Sequence, residues 1–355
     1  MLIIQIDKYT LQLAEVSYNG KKTLINKMRL FRLPENLENG GCSKDTAASA
    51  DFVSNCIERG RLAKGKALLF LDDSSVMRKE YTHENSKPAH LLSLACLEAD
   101  AILPENEGSF IIENEWYGPR KNREGLQTSV IYAANEDLVS GLTKHLKKRG
   151  ILLKAVFPSA LAHTDLIRSL LNPMISGKEF ADRTVVSVCF SDQEMRIAVF
   201  HNGELIHQRI DEQSMQDFYR NVALAYHIPQ TETESFCLKN GFNRNADINR
   251  INADAYERME EAAESMLLKF VRSINIILNS EGLNLDHIII SGTPSAFPGF
   301  AEFISKCLKV DCSVIDEYAQ RLTPIVELGD ELKNRSNLFH KLVLLRGADY
   351  KKNKD

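Results

Sequence analysis

The apolar pattern of this chain passes through the same order twice, with strand-like runs joined by tight turns followed by helical stripes. In the first pass Leu2–Ile6 is a short apolar run and Gln12–Val16 alternates. Thr23–Arg32 follows the turn signal Asn19-Gly20. Asp45 then caps a helix with Ala48, Phe52 and Cys56 on one face. In the second pass Thr184–Phe190, Glu194–His201 and Glu204–Ile210 read as strands, the last two joined by the hairpin pair Asn202-Gly203. Helices are predicted at Ser214–Tyr226, Glu232–Asn240 and Asp254–Ser280. The long one carries Met259, Met266, Phe270, Ile274 and Ile277 on one side. Hairpins followed by helices, twice over, predict an α/β architecture of two domains, each a mixed sheet with helices packed on it. Duplicated domains of this kind make a cleft between them, where a ligand would sit.

A small α/β insertion interrupts the first pass from about Lys66 to Gly150. It reads as a strand at Lys66–Leu71, an extended Arg78–Tyr81 and a helix from Pro88 to Ile102. Two strands follow, Ser109–Trp116 and Leu126–Ala133, joined by a polar loop holding Gly118-Pro119. The helix Asn135–Arg149 closes the insertion. Asn135 caps it, Leu138, Leu142 and Leu146 form its apolar stripe, and Gly150 suits the left-handed end position. Ile151–Val156 returns to strand and Pro158–Leu171 to helix, while Asn172–Asp182 reads as a linker. Near the end come a strand at His287–Ile290, a Gly/Pro loop, a helix at Gly299–Leu308 and a strand at Val310–Ile315. The predicted domains are therefore 1–175, with the insertion at about 66–150, then 176–320, with 321–355 returning to the first.

With 355 residues the chain is long enough for two cores. A net charge of -4 gives no basic surface for nucleic acid. No run reaches the roughly 18 apolar residues of a membrane-spanning helix, and the apolar start is too short for a signal peptide. The seven cysteines are scattered without a C-x-x-C pair, so neither a zinc site nor a disulfide framework is expected.

Three stretches resemble the PilM family of type IV pilus assembly proteins and its relative FtsA, within the actin-like ATPase superfamily. The first is Ile6-Asp7 with the hairpin into Leu11–Val16. The second is Glu98–Pro104 with Ile131–Asn135 and the following helix, which are similar to an inserted subdomain of that branch. The third is Ile288–Gly292 followed by Phe297–Phe303, similar to the strand, glycine loop and helix walling the adenosine pocket. Leu342–Gly347 is similar to the family's short closing helix. The resemblance implies a two-domain actin-like, ribonuclease H-like duplicated fold with an inserted subdomain in the first domain.

The same resemblance implies where ATP and magnesium would sit, and there the residues depart from the pattern. Glycine lets backbone N–H groups approach phosphate, and a carboxylate holds magnesium or positions water. At the first phosphate turn, Asp7-Lys8-Tyr9-Thr10-Leu11-Gln12 lacks the glycine, and Gln12 stands where a Lys belongs. At the second, Ser187-Val188-Cys189 replaces Asp-x-Gly, and Gln193 replaces a Thr, with Asp192 in the bend. On the adenosine helix Lys239 fits, but Phe236 replaces a Glu. In the adenosine loop Gly292 is kept, followed by Thr293 and by Pro294, which has no N–H to donate. Each missing contact costs on the order of 1–3 kcal/mol. Together they predict no cofactor and leave Asp7, Thr10, Gln12, Ser187, Lys239, Gly292 and Thr293 as nucleotide-binding positions only if binding survives. Otherwise Asp7, Thr10, Ser187 and Gly292 serve as turn and strand-end residues.

Other features have plain explanations. Trp116–Arg123 joins two aromatics to three bases, which suits a partner or a solvated loop. The bases in Lys144–Arg149 complement a helix end or touch anionic lipid. His201 and His207 flank a hairpin turn, short of a metal-ligand set. Ser291 lies outside any nucleophile elbow.

Three functions follow as expectations. The resemblance implies a cytoplasmic scaffold at the inner face of the membrane, binding the cytosolic N-terminal segment of a PilN-like protein and other machine components, with homo-oligomerisation left open. The alternatives are a divergent ATPase with Asp7 and Lys239 as survivors, and an FtsA-like filament former. The short polar tail Gly347–Asp355 argues against the membrane-targeting helix of FtsA.

Overall fold

The computed structural model describes residues 1–7, 9–19, 22–38, 41–71, 75–84, 88–103, 109–119, 126–172, 179–190, 194–211, 215–242, 251–318, 321, 326–329 and 332. The chain divides into two compact units, Met1–Leu166 with Leu322–Arg335, and Ile167–Arg321. The first division falls inside a helix, Ser159–Leu171.

In the first unit β1 (Leu2–Ile6), β2 (Thr10–Asn19) and β3 (Lys22–Arg32) form an antiparallel meander. After α1 (Gly41–Lys44) and α2 (Thr46–Arg59), β4 (Lys66–Leu71) returns parallel to β1. The Asp45 carboxylate caps α2 by accepting from the Ala48 N–H at 2.8 Å. β5 (Val76–Glu84), α3 (Pro88–Asp100), β6 (Phe110–Pro119) and β7 (Leu126–Asn135) then build a separate sheet, ordered β5-β7-β6. α4 (Glu136–Lys148), β8 (Leu152–Pro158) and α5 (Ser159–Leu171) complete the run. With β14 (Val326–Leu328) parallel to β3, the main sheet is ordered β14-β3-β2-β1-β4-β8.

One expectation fails in the inserted sheet. Gly118 and Pro119 lie in β6, paired with Thr128 and Gln127, and not in a loop. β6 is an edge strand, where proline is tolerated when its nitrogen faces away from the neighbouring strand, and the register is irregular between Trp116 and Gly118.

The second unit holds β9 (Thr184–Phe190), β10 (Met195–His201) and β11 (Glu204–Asp211), then α6 (Met215–Tyr226), α7 (Thr233–Asn240) and α8 (Ile251–Glu281). β12 (His287–Gly292), α9 (Phe300–Leu308) and β13 (Asp311–Val314) follow, and the sheet is ordered β11-β10-β9-β12-β13. Asn202 and Gly203 both have positive φ, 54° and 77°, the twist that a two-residue hairpin needs. The core lies between this sheet and α6, α8 and α9. Met259, Met266, Phe270, Ile274 and Ile277 of α8 all face it. Among the described residues no helix is long and apolar enough to cross a membrane.

Candidate functional site

The first phosphate turn of the resemblance falls at the carboxyl end of β1, where open α/β sheets place ligands. Its backbone closes on itself. The Asp7 N–H donates to the Thr10 carbonyl at 2.9 Å, and the Leu33 N–H to the Tyr9 carbonyl at 2.8 Å. Thr10 opens β2 opposite Arg32. Gln5, a lone glutamine in an apolar run, carries no signal in the sequence, yet it is 2% exposed. Its Nε2 donates to both oxygens of the Asp7 carboxylate, at 3.2 and 3.0 Å. Gln12 sits directly across from Gln5 in the register. The Oε1 atoms of both glutamines are buried without a hydrogen-bond partner. A carbonyl left so costs about 1–3 kcal/mol. Lys8 lies outside the described residues.

The second turn is built differently. Ser187 is fully buried in the middle of β9, between Ala198 of β10 and Ile289 of β12. The strand runs on through Cys189 to Phe190, so Ser187 is not the strand-end residue that its place in the pattern predicts. The partners decide this, because β12 pairs with β9 all the way to Gly292 opposite Phe190. Asp192 and Gln193 lie outside the described residues.

Gly292 has its own physical reason. Its φ is +85°, and a Cβ there would stand 1.9 Å from the Phe190 carbonyl oxygen, so no side chain fits. Thr293 starts a short 3-10 turn, Thr293–Ala296, held where the Ser295 hydroxyl donates to the Gly292 carbonyl at 2.8 Å. Behind this loop the unit is filled with rings. Phe242 stacks on Phe303 at 4.7 Å, Phe218 on Phe242 at 6.3 Å and on Phe297 at 6.2 Å, and Phe190 meets Phe300 edge-on at 5.6 Å. Gly241 pins this arrangement to the loop. It has positive φ, a Cβ would fall 2.3 Å from the Pro298 oxygen, and the next residue, Phe242, donates its N–H to that oxygen at 2.5 Å. The pair Asn240-Gly241 is a turn signal that marks the spot in the sequence. On α7 Lys239 is exposed, while Phe236 turns to the Tyr226 ring at 4.6 Å. Asp7, Thr10 and Gln12 therefore gather at one strand end of the first unit, and Gly292 and Thr293 lie on one loop of the second, but Ser187 is held inside its sheet.

A family model described as "Type IV pilus assembly protein PilM" matches residues 4–336. The chain belongs to the PilM family. The solved PilM-PilN type IV pilus biogenesis complex is similar to it at TM-score 0.75 and 15% identity, covering 99% of this chain and 97% of that one. At that identity the likeness shows the fold, which is the two-domain actin-like fold of PilM proteins. Weaker similarities reach the ethanolamine utilization protein EutJ of Carboxydothermus hydrogenoformans (TM-score 0.47, 12% identity, 88% and 83% covered) and the ADP-bound MreB5 of Spiroplasma citri (TM-score 0.44, 8% identity, 96% and 98% covered). No curated protein matches the chain.

The remaining candidates on this PilM-family chain resolve into structural roles. His201 and His207 do not face each other. His201 pairs with Glu204 and His207 with Val199, and the His201 ring meets the Thr184 hydroxyl at 3.1 Å. Arg149 at the end of α4 is bound to Asp51 and donates to the His145 carbonyl, which ties the basic helix end to α2. The Ser291 hydroxyl is buried and donates to the Val188 carbonyl at 3.4 Å. Burial pushes the thiol of Cys56 up to about 11 and those of Cys237 and Cys312 to about 12, which keeps them protonated and unreactive at neutral pH. No metal-binding cluster of His, Cys, Asp and Glu occurs among the described residues. Arg120–Arg123, the loop's basic part, and Leu342–Gly347 with the tail lie outside the described residues.

Proposed function

We propose that this PilM-family chain is an adaptor of a type IV pilus or related secretion machine that works without ATP. Membership of the family carries the role in pilus assembly. The neighbour of the same fold is a complex with PilN. The partner proposed here is accordingly the cytosolic N-terminal segment of a PilN-like inner-membrane protein, which would hold the chain at the inner face of the membrane. The inserted sheet supports such docking. Its outer strands β5 and β6 offer edges for an extended peptide, and Leu92, Leu97 and Ile111 stand exposed on the same subdomain.

The observation that carries the ATP-independent reading is a poor fit between the nucleotide positions and ATP with magnesium. The Asp7 carboxylate already accepts from Gln5, and Gln12 brings no positive charge to a phosphate. Ser187 supplies no carboxylate and stays inside β9. Gly292 is fully accounted for by the Phe190 carbonyl, and stacked phenylalanines back the loop where an adenine would need a wall. A second reading, a divergent ATPase, draws on Asp7 at a strand end beside two unpaired glutamine carbonyls. Those are acceptors, which phosphate oxygens repel.

Calorimetric titration of the purified chain separates the readings. With magnesium and ATP no heat of binding is expected, whereas a synthetic peptide of the PilN-like cytosolic segment should bind. Saturable, magnesium-dependent ATP binding would overturn the ATP-independent reading. A peptide that fails to bind would overturn the proposed partner.

A further inference from the structure

The ends of α2 and α4, and the starts of the strands they lead into, carry a charge that the rest of the chain does not. Between Glu58 and Lys66 stand four Lys and Arg against one acid, and between Lys144 and Lys154 five against none. The net charge of the whole chain is -4, so these segments are a basic island on an acidic protein. The fold brings the two segments side by side within the first unit. Lys66 pairs with Leu152 where β4 and β8 begin, and the Leu152 N–H donates to the Gly65 carbonyl at 2.8 Å. The acids that ion pairs bring to this rim are each met by a base: Glu58 by Lys64 at 2.7 Å, Asp51 by Arg149, and Glu15 by Lys27 at 4.0 Å. Glu327 is on β14, at the opposite edge of the sheet from β8. Arg59, Arg61, Lys66, Lys144, Lys147 and Lys148 are all exposed and take no part in those pairs, although Arg59 lies over the Phe31 ring.

The helix dipole accounts for bases in a last turn, such as Arg59, Lys147 and Lys148. It does not account for Arg61 and Lys66, which lie beyond the end of α2, or for the exposed Lys154 inside β8. Nor does it account for Leu152, 39% exposed and set directly beside Lys66 on the edge strand β8. Four of the six exposed bases are lysines, point charges on flexible stems that suit a diffuse negative surface. A single bound phosphate or carboxylate is better gripped by the fork of arginine. An aliphatic side chain among the lysines suits lipid, whose headgroup boundary admits it. Acids elsewhere on the chain do not cancel the attraction, because at physiological salt exposed charges are screened beyond about 8 Å.

We propose that the basic rim at the starts of β4 and β8 rests directly on an anionic membrane surface, with Lys66, Lys147 and Lys148 against lipid headgroups and Leu152 at their boundary. The choice of a membrane rests on the proposed attachment to an inner-membrane partner, whereas the basic rim stands without it. The lipid contact is a second, weak anchor beside that partner, and reversible membrane binding becomes stable when two such signals act together. Each base near an anionic leaflet adds roughly fivefold to the partition.

The test is cosedimentation of the full chain with vesicles that contain no protein, so it does not depend on the partner. Vesicles mixing phosphatidylcholine with phosphatidylglycerol should bind the chain, pure phosphatidylcholine should not, and ~1 M salt should release it. The triple exchange Lys66→Gln, Lys147→Gln and Lys148→Gln should weaken binding roughly hundredfold. Lys269→Gln, Arg272→Gln and Lys306→Gln together remove as many exposed charges from the second unit and should leave it unchanged. Leu152→Ser should weaken it severalfold. Circular dichroism and melting first establish that each variant is folded as the parent. No binding to the anionic vesicles, or equal losses in the two triple variants, would overturn the proposal. So would tighter binding of duplex DNA or polyglutamate through the same three lysines, which would assign the rim to nucleic acid or to an acidic protein. A chain that binds the vesicles but not the PilN-like peptide would keep the lipid contact and lose only the partner.

Discussion

The core of the second unit and the core of the inserted sheet are built from different materials. Behind β9 and β12 lie Phe190, Phe218, Phe242, Phe270, Phe297, Phe300 and Phe303, nearly all ring against ring. The inserted sheet closes on Tyr81, Ala95, Ala99 and Ile131, with Leu92 and Leu97 of its helix facing water. Interlocked rings resist deformation, because every displacement costs many contacts at once. A small core under a half-apolar helix opens at lower cost and has apolar surface still to bury. The difference suggests a division of labour. Under the proposed function, the region that the resemblance ties to adenosine would serve as a rigid support, and the region offered to a peptide would keep its freedom.

The hardest blow to the rigid side is Gly292→Ala. Its Cβ would collide with the Phe190 carbonyl at a backbone angle that suits only glycine. A loss of about 4 kcal/mol or more is expected in urea unfolding. A nearly unchanged midpoint would show that the β9–β12 contact gives way easily. Phe300→Ala, which removes a fully buried ring, should cost about 3–5 kcal/mol in the same assay. The contrast itself is measured by hydrogen exchange. Amides of β5 and β7 should open with free energies lower by about 2 kcal/mol than those of β9 and β12. Equal protection would erase the distinction. At the border of the inserted sheet, Asn135→Ala removes the side-chain oxygen that accepts from the Leu138 N–H and should cost about 1 kcal/mol.

The smallest effect is one of pH. His287 is buried beside Phe180, its Nε2 lies 2.7 Å from the Ser313 hydroxyl and 3.3 Å from the Tyr318 hydroxyl, and burial holds its pKa below the usual histidine value. The charges that face it are Asp311, Glu179 and Glu317, with Arg183 opposing them. Burial is the dominant cause, so the unfolded chain takes up the proton first. The stabilisation is complete above the ordinary histidine value of 6.5 and is lost as the pH falls from there toward the folded value. Melting temperature should drop between about pH 7.5 and 5.5, on either side of that value, and less so in His287→Gln. An equal drop in both would move the effect elsewhere.

Much of the fold was legible because its signals are local. Asn202-Gly203 dictates a two-residue hairpin wherever it sits between strands, and Asp45 and Asn135 cap helices with their own side chains. Gly118-Pro119 misled because the allowance for proline comes from sheet order, which no local pattern encodes. The candidate site was less readable for the same kind of reason. The strand Thr184–Phe190 could be read locally and already puts Ser187 mid-strand, but its pairing on both sides, with β10 and β12, which seals the serine inside the sheet, could not. Gln5 escaped notice because a single amide in an apolar run has no periodic signature, although it is the group that engages Asp7. Gly292 could be picked out by pattern, but only the approach of the Phe190 carbonyl explains why it is a glycine.

The parallel pairing of β14 with β3, and the Gly329 N–H that donates to the Ile25 carbonyl at 2.8 Å, bear on how this chain is born. The opening meander emerges from the ribosome long before the strand that covers its outer edge. During that interval β3 presents open backbone groups to any passing strand. Synthesis halted shortly before Val326 would leave that hazard permanent, so premature termination there should yield aggregates more readily than a shortened but orderly protein.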